Sequence, residues 1–100
     1  MATTAKALFR GAASTSLTTL YTVPSSTTAV VNTIVVVNSD SSSATYDLYL
    51  DGVVLANDVT VPANDTVVLE IKQVLDTTKT IQGSASATTV AFHISGLEIT

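Results

Sequence analysis

The sequence predicts an all-β protein: an antiparallel β-sandwich of about eight strands, jelly-roll or immunoglobulin-like in its connections. Three observations carry this expectation. Thr and Ser together make 29 of the 100 residues and Val adds 14; Thr and Val are β-branched, stiff at χ1, and suit a pleated surface better than a helix. Apolar residues recur with period two, and no segment holds a helical period. Turn-forming residues interrupt the pattern at short, regular spacing. A chain of this length forms one domain.

The expected strands lie near residues 5–10, 17–23, 29–38, 44–51, 53–57, 66–72, 79–86 and 89–99. Residues 1–16 read either as an N-terminal arm or as a first edge strand, ahead of a sandwich domain at 17–100. Leu8, Phe9 and Arg10 stand out there as an apolar-plus-basic group. In the stretch 29–38 the odd positions Ala29, Val31, Thr33, Val35 and Val37 form the more apolar set and are expected to face the core. The even positions then face out, and Val30, Ile34 and Val36 make an apolar patch edged by Asn32 and Asn38. An apolar centre with a polar rim is how an interface is built, so this patch is the expected self-interface. The competing explanation is that the C-terminal segment covers it within one subunit.

The strongest local signal is "LYLDGVVL" from Leu48. Asp51-Gly52 favours a two-residue type I′ turn, which needs positive φ at both positions. That turn pairs Leu50 with Val53 and Leu48 with Leu55, so Tyr46, Leu48, Leu50, Val53 and Leu55 share a face. Val67, Leu69 and Ile71 alternate with Val68, Glu70 and Lys72. Near the C-terminus Phe92 and Ile94 occupy even positions but Leu97 and Ile99 odd ones. A β-bulge at Gly96 restores one inner face; the alternative ends the strand at Ser95.

A phrase occurs twice: "YTVPSSTTAVV" from Tyr21 and "VTVPANDTVVL" from Val59. Pro24 and Pro62 cannot donate to a ladder, so each ends its strand or sits at an edge. The polar residues that follow bond their own backbone and carry a corner. The phrase is a strand-stop, corner, strand-start device.

Several function classes are excluded or weakened. The four basic residues, Lys6, Arg10, Lys72 and Lys79, are scattered in a chain of net charge −4, whereas nucleic-acid binding requires clustered cations. With no cysteine there is no disulfide framework, zinc thiolate site or thiol nucleophile, which fits a reducing cytoplasm. The N-terminal residues lack a secretory pattern, and the apolar run Ile34–Val37 is too short to span a bilayer as a helix. His93 is the only histidine and is expected to point outward, between the inward Phe92 and Ile94. Ser95 and Asp76 could complete a triad only if the fold brought them to it. The Asn38-Ser39-Asp40-Ser41 stretch lacks the spacing of a calcium loop, and turn duty explains its residues. No residue is assigned to catalysis, to a metal or to a cofactor.

The stretch "LYTVPSSTTAVVNTIVVVNSDSSSATYDLYLDGVVL" resembles small structural proteins encoded by tailed bacteriophages. The resemblance is carried by Tyr21, Thr22, Val23, Pro24, Asn38, Asp51, Gly52, Pro62, Asn64, Asp65, Ser95, Gly96 and Glu98, and covers most of residues 17–100. It implies a virion protein of the capsid decoration (cement) type, assembled in the host cytoplasm, bound to the major capsid protein on the phage head and present as a homotrimer. It brings no catalytic residues. Leu8, Phe9 and Arg10 are then expected capsid contacts; nucleic acid and membrane are not expected partners. The alternatives are a tail or baseplate appendage module binding a host surface glycan, for which Tyr49 is the outward aromatic candidate, or a carbohydrate-binding accessory module of an enzyme.

Overall fold

In the computed structural model, which describes residues 2–100, eight antiparallel strands make two four-stranded sheets. They are β1 (Thr3–Ala12), β2 (Thr18–Thr22), β3 (Thr28–Asn38), β4 (Ala44–Leu50), β5 (Val53–Val61), β6 (Thr66–Leu75), β7 (Thr80–Ala85) and β8 (Val90–Ile99). Their order is β1-β8-β3-β6 in one sheet and β2-β7-β4-β5 in the other. First pairs with last, second with seventh, third with sixth, fourth with fifth. That nested scheme, rolled into two facing sheets, is a jelly roll, which resolves the two sandwich topologies open from sequence. Residues 3–12 are an edge strand of the first sheet, and the chain ends meet beside it: Ala2 and Thr100 exchange two backbone hydrogen bonds, 2.9 and 2.8 Å.

Among the described residues every connection crosses between sheets except β4–β5. That hairpin turns at Asp51 (φ 55°) and Gly52 (φ 71°), the two positive values a type I′ turn demands. The repeated phrase makes the same crossing twice, β2 to β3 and β5 to β6. Val23 and Val61 are buried just before the proline, and the residue two beyond it, Ser26 or Asn64, has φ near 55° (57° and 54°). The corners are held by backbone bonds to the neighbouring loop: Val23 to Lys79 and Thr78 at one, Asn64 to Asp40 at the other.

The core lies between the sheets. Ala29, Val31, Ile34, Val36, Phe92 and Ile94 come from one sheet and Tyr46, Leu48 and Ile81 from the other. Tyr46 and Phe92 meet edge to face, ring centroids 6.2 Å apart, a geometry that adds to plain burial.

Three expectations are corrected. First, β3 changes face midway. Asn32 is an extra residue opposite β8, where the pairing jumps from Val31 to Thr33 across the Gly96–Ser95 step, and β6 sets two residues, Ile71 and Lys72, against it. Odd positions point in before it (Ala29, Val31) and even positions after it (Ile34, Val36, Asn38). A one-residue insertion reverses the side-chain phase, so Ile34 and Val36 are core residues and Val35 and Val37 face outward, half-buried. Second, β8 runs unbroken through Gly96, which continues its inner face. The insertions sit on its neighbours, at Leu8 in β1 and Asn32 in β3. Gly96 is needed there because a Cβ would collide with the Val30 carbonyl oxygen. Third, Leu48 pairs with Ala56, not Leu55. Leu55 is an extra residue on β5, and Val53 and Leu55 are exposed rather than packed with Tyr46 and Leu48.

Candidate functional site

On the β2-β7-β4-β5 sheet, Asp47 lies opposite Ser84 and Tyr49 opposite Gln82. Asp47 accepts the Asp58 N–H at 2.7 Å and the Ser84 hydroxyl at 3.4 Å. Beside these polar groups the edge strand β5 leaves apolar side chains in water: Val54, in register with Tyr49, and Val53, Leu55 and Val59.

The β1-β8-β3-β6 sheet presents rows of cross-strand neighbours, and partners in register share a face. One row runs Ala5, Leu97, Val30, Val74; another runs Arg10, His93, Val35, Val68. Between them lies a polar row: Ala7, Ser95, Thr33, Glu70. Valines on both flanks remain in water, Val68 at 56% and Val74 at 63% exposure. Fully burying one such side chain is worth about 1.5–3 kcal/mol, so this face gains by being covered.

The polar row is also a hollow. A groove of about 510 Å³ opens there. Its floor is small: Ala5, Ala7 and Gly96. Its rim carries Lys6 and Arg10 with the hydrogen-bonding Asn32, Thr33 and Ser95. The inserted residues flank Ser95 from the two neighbouring strands, Leu8 opposite its step to Ile94 and Asn32 opposite its step to Gly96, and bulges bend the strands that hold them. Lys6 is engaged, 3.4 Å from Glu98, and Glu98 in turn accepts the Tyr21 hydroxyl at 2.5 Å. Burial first, then this bond and the nearby carboxylate charge, push the Tyr21 phenol well above its ordinary 10.0. Arg10 has no ion-pair partner among the described residues, nor does Glu70.

The residues singled out from sequence divide accordingly. Leu8 is buried and Phe9 packs half-buried against the core, because both belong to a paired strand whose bulge turns Leu8 inward. Leu8 is not available as a capsid contact and Phe9 turns toward the core; Arg10 is exposed on the outer face. Ile34 and Val36 are 0% exposed, so they are not a surface for another subunit. Val30 stays on the outer face, one row from the groove. His93 faces outward as expected, half-buried in the Arg10 row. Asp76 lies in the β6–β7 turn. Asp40 and Asp65 each accept a neighbouring backbone N–H, Ser41 at 2.7 Å and Thr66 at 2.8 Å, the turn duty inferred for them. No group of three or more metal-ligating residues occurs among the described residues. Sequence reasoning missed Glu70, Val68 and Val74; the signal was present in β6, where the side opposite Val67, Leu69 and Ile71 also carries valine.

No family model matches the chain, and no curated protein matches it. Among solved structures, the Agl-KA catalytic domain is similar over 90% of this chain and 20% of its own, at 16% identity and a TM-score of 0.40. A pentameric capsid protein isolated from metagenomic phage sequences is similar over 90% of this chain and 59% of its own, at 18% identity and a TM-score of 0.31. This chain thus spans about a fifth of the first and three fifths of the second. Likeness at this level carries no role from either protein to this one.

Proposed function

We propose that this protein is a non-enzymatic structural component of a tailed-phage virion, of the capsid decoration type. The observation that supports the reading is the apolar surface left in water on both sheets: Val68 and Val74 on β6, and Val53, Val54, Leu55 and Val59 on β5. A protein that lies on a shell needs such surface for its partners. The sequence resemblance supplies the setting, with the major capsid protein as partner and the phage head as location. The homotrimer that the resemblance implies loses its expected surface, since Ile34 and Val36 lie in the core, and is an alternative to pairing of two copies.

The reading is tested by imaging purified particles of the encoding phage with this protein gold-labelled. Label over the head is the expected result. Label confined to the tail supports the glycan-binding appendage instead, and particles without label reject both.

A further inference from the structure

We infer that the outer face of the β1-β8-β3-β6 sheet pairs with the same face of a second copy. The two-fold axis runs along the strands between β8 and β3, and each Glu70 enters the groove of the other subunit.

The argument starts from the central row. It holds Ala7, Ser95, Thr33 and Glu70 in register across all four strands, with the anion at one sheet edge and the hollow at the other. A two-fold axis parallel to the strands exchanges edges and preserves rows. It therefore sets Glu70 over the partner's Ala7, where a methyl group leaves room. Arg10 lies one row along that same strand and lines the same groove. Arg10 and Glu70 each lack an ion-pair partner among the described residues, and the axis completes both pairs at once, as an isologous contact requires. The other two-fold in this plane, across the strands, places Glu70 on Glu70 and is opposed by like charge.

Shape and size agree with this partner. In the flanking rows the axis sets Leu97 over the partner's Val30 and Ala5 over its Val74, and on the other side His93 over Val35 and Arg10 over Val68, while the charged groups fix the register. Facing sheets cross at about 30°, and the middle row is displaced least by that crossing. Four strands and five rows at ordinary spacings give a patch of about 500 Å² per copy. The total of about 1,000 Å² is at the lower limit for a specific interface. The pair is therefore expected at micromolar rather than nanomolar concentration.

The test is sedimentation equilibrium over a range of protein concentrations, with circular dichroism as the check on folding. The wild type should be a monomer–dimer system. Arg10→Glu and Glu70→Lys should each weaken the dimer by at least about tenfold in Kd, with β spectra intact, because both residues are exposed. The double variant Arg10→Glu/Glu70→Lys should regain the dimer. A wild type that stays monomeric at 100 μM (on the order of the weakest pair expected), one that forms trimers, or a double variant no better than the singles would overturn the pairing. Particle labelling tests the virion reading separately, so either idea can fail without the other.

Discussion

Asn38 is 1% exposed and uses its whole amide. Its Nδ2 donates to the carbonyls of Ser42, Val61 and Pro62 at 2.9, 3.3 and 3.4 Å, and its Oδ1 accepts the Asp40 N–H at 3.1 Å and the Thr89 hydroxyl at 3.4 Å. One side chain thus ties the end of β3 to the β3–β4 loop, the β5–β6 corner and the β7–β8 loop. Asn38→Leu, close in size, leaves those carbonyls without a donor and should cost about 2–3 kcal/mol, read as a lowered urea midpoint. In sequence Asn38 reads as the polar edge of an outward patch and the start of a polar loop; what it bonds lies as far as 51 positions away and has no local signature. Tyr21 makes a second polar tie, between sheets, through Glu98. Its raised folded pKa means that the folded state holds the phenol proton more tightly than the unfolded chain does. That contribution is fully present below about pH 10 and is lost as pH climbs past 10 toward the folded value. Tyr46 is also raised, by burial, and adds to the same decline. In Tyr21→Phe, stability should be lower by about 1 kcal/mol at pH 8, yet fall less steeply from pH 10 to 12. An unchanged slope would remove Tyr21 from this account.

At the scale of the strand, period two located all eight elements and both corners, because each depends on the residues within it. It misjudged the face of β3 beyond Asn32, because an inserted residue between Val31 and Thr33 has no turn residue to announce it. The two faces are told apart by paired substitutions. Ile34→Asp places an unpaired charge among Val36, Phe92 and Ile94 and should unfold the protein, a cost above about 4 kcal/mol. Val35→Asp, on the outer face, should leave the β spectrum and cooperative melt in place. The reverse outcome would restore the unbroken alternation. Two glycines separate backbone strain from steric crowding in the same manner. Nothing lies within 4 Å of a Cβ at Gly52, so Gly52→Val should cost only the positive-φ penalty, about 1 kcal/mol. Gly96→Ala meets the Val30 carbonyl, fixed in the β3–β8 ladder, and should cost more, about 3 kcal/mol. Chemical denaturation of the two variants gives the order directly.

For the molecule as a whole, the sandwich class was legible and the pairing order was not. Strand existence is written in local alternation; the choice of β8 as the partner of β1 depends on the combined fit of both sheets. The groove was out of reach for the same reason. Ala7, Ser95, Thr33 and Glu70 are unremarkable in sequence, and become a row only when four distant strands are laid side by side.

The meeting of Ala2 and Thr100 makes the chain almost a closed circle. Bridging them with a few glycines and opening the backbone between Asp51 and Gly52 would produce a circular permutant in which every strand retains its neighbours. What changes is the nesting. β1 and β8, the most distant pair in the present order, become a short hairpin, while β4 and β5 become the outermost pair. Pairing distant strands is slow because the intervening loop must first be closed, so the permutant should reach the same fold by a different sequence of events. Its circular dichroism should match that of the parent. Stopped-flow refolding should show the β1–β8 edge forming early instead of late, reported by a tryptophan in place of Phe9. A permutant that fails to fold would mean that the Asp51-Gly52 hairpin must form first for the rest to find its place.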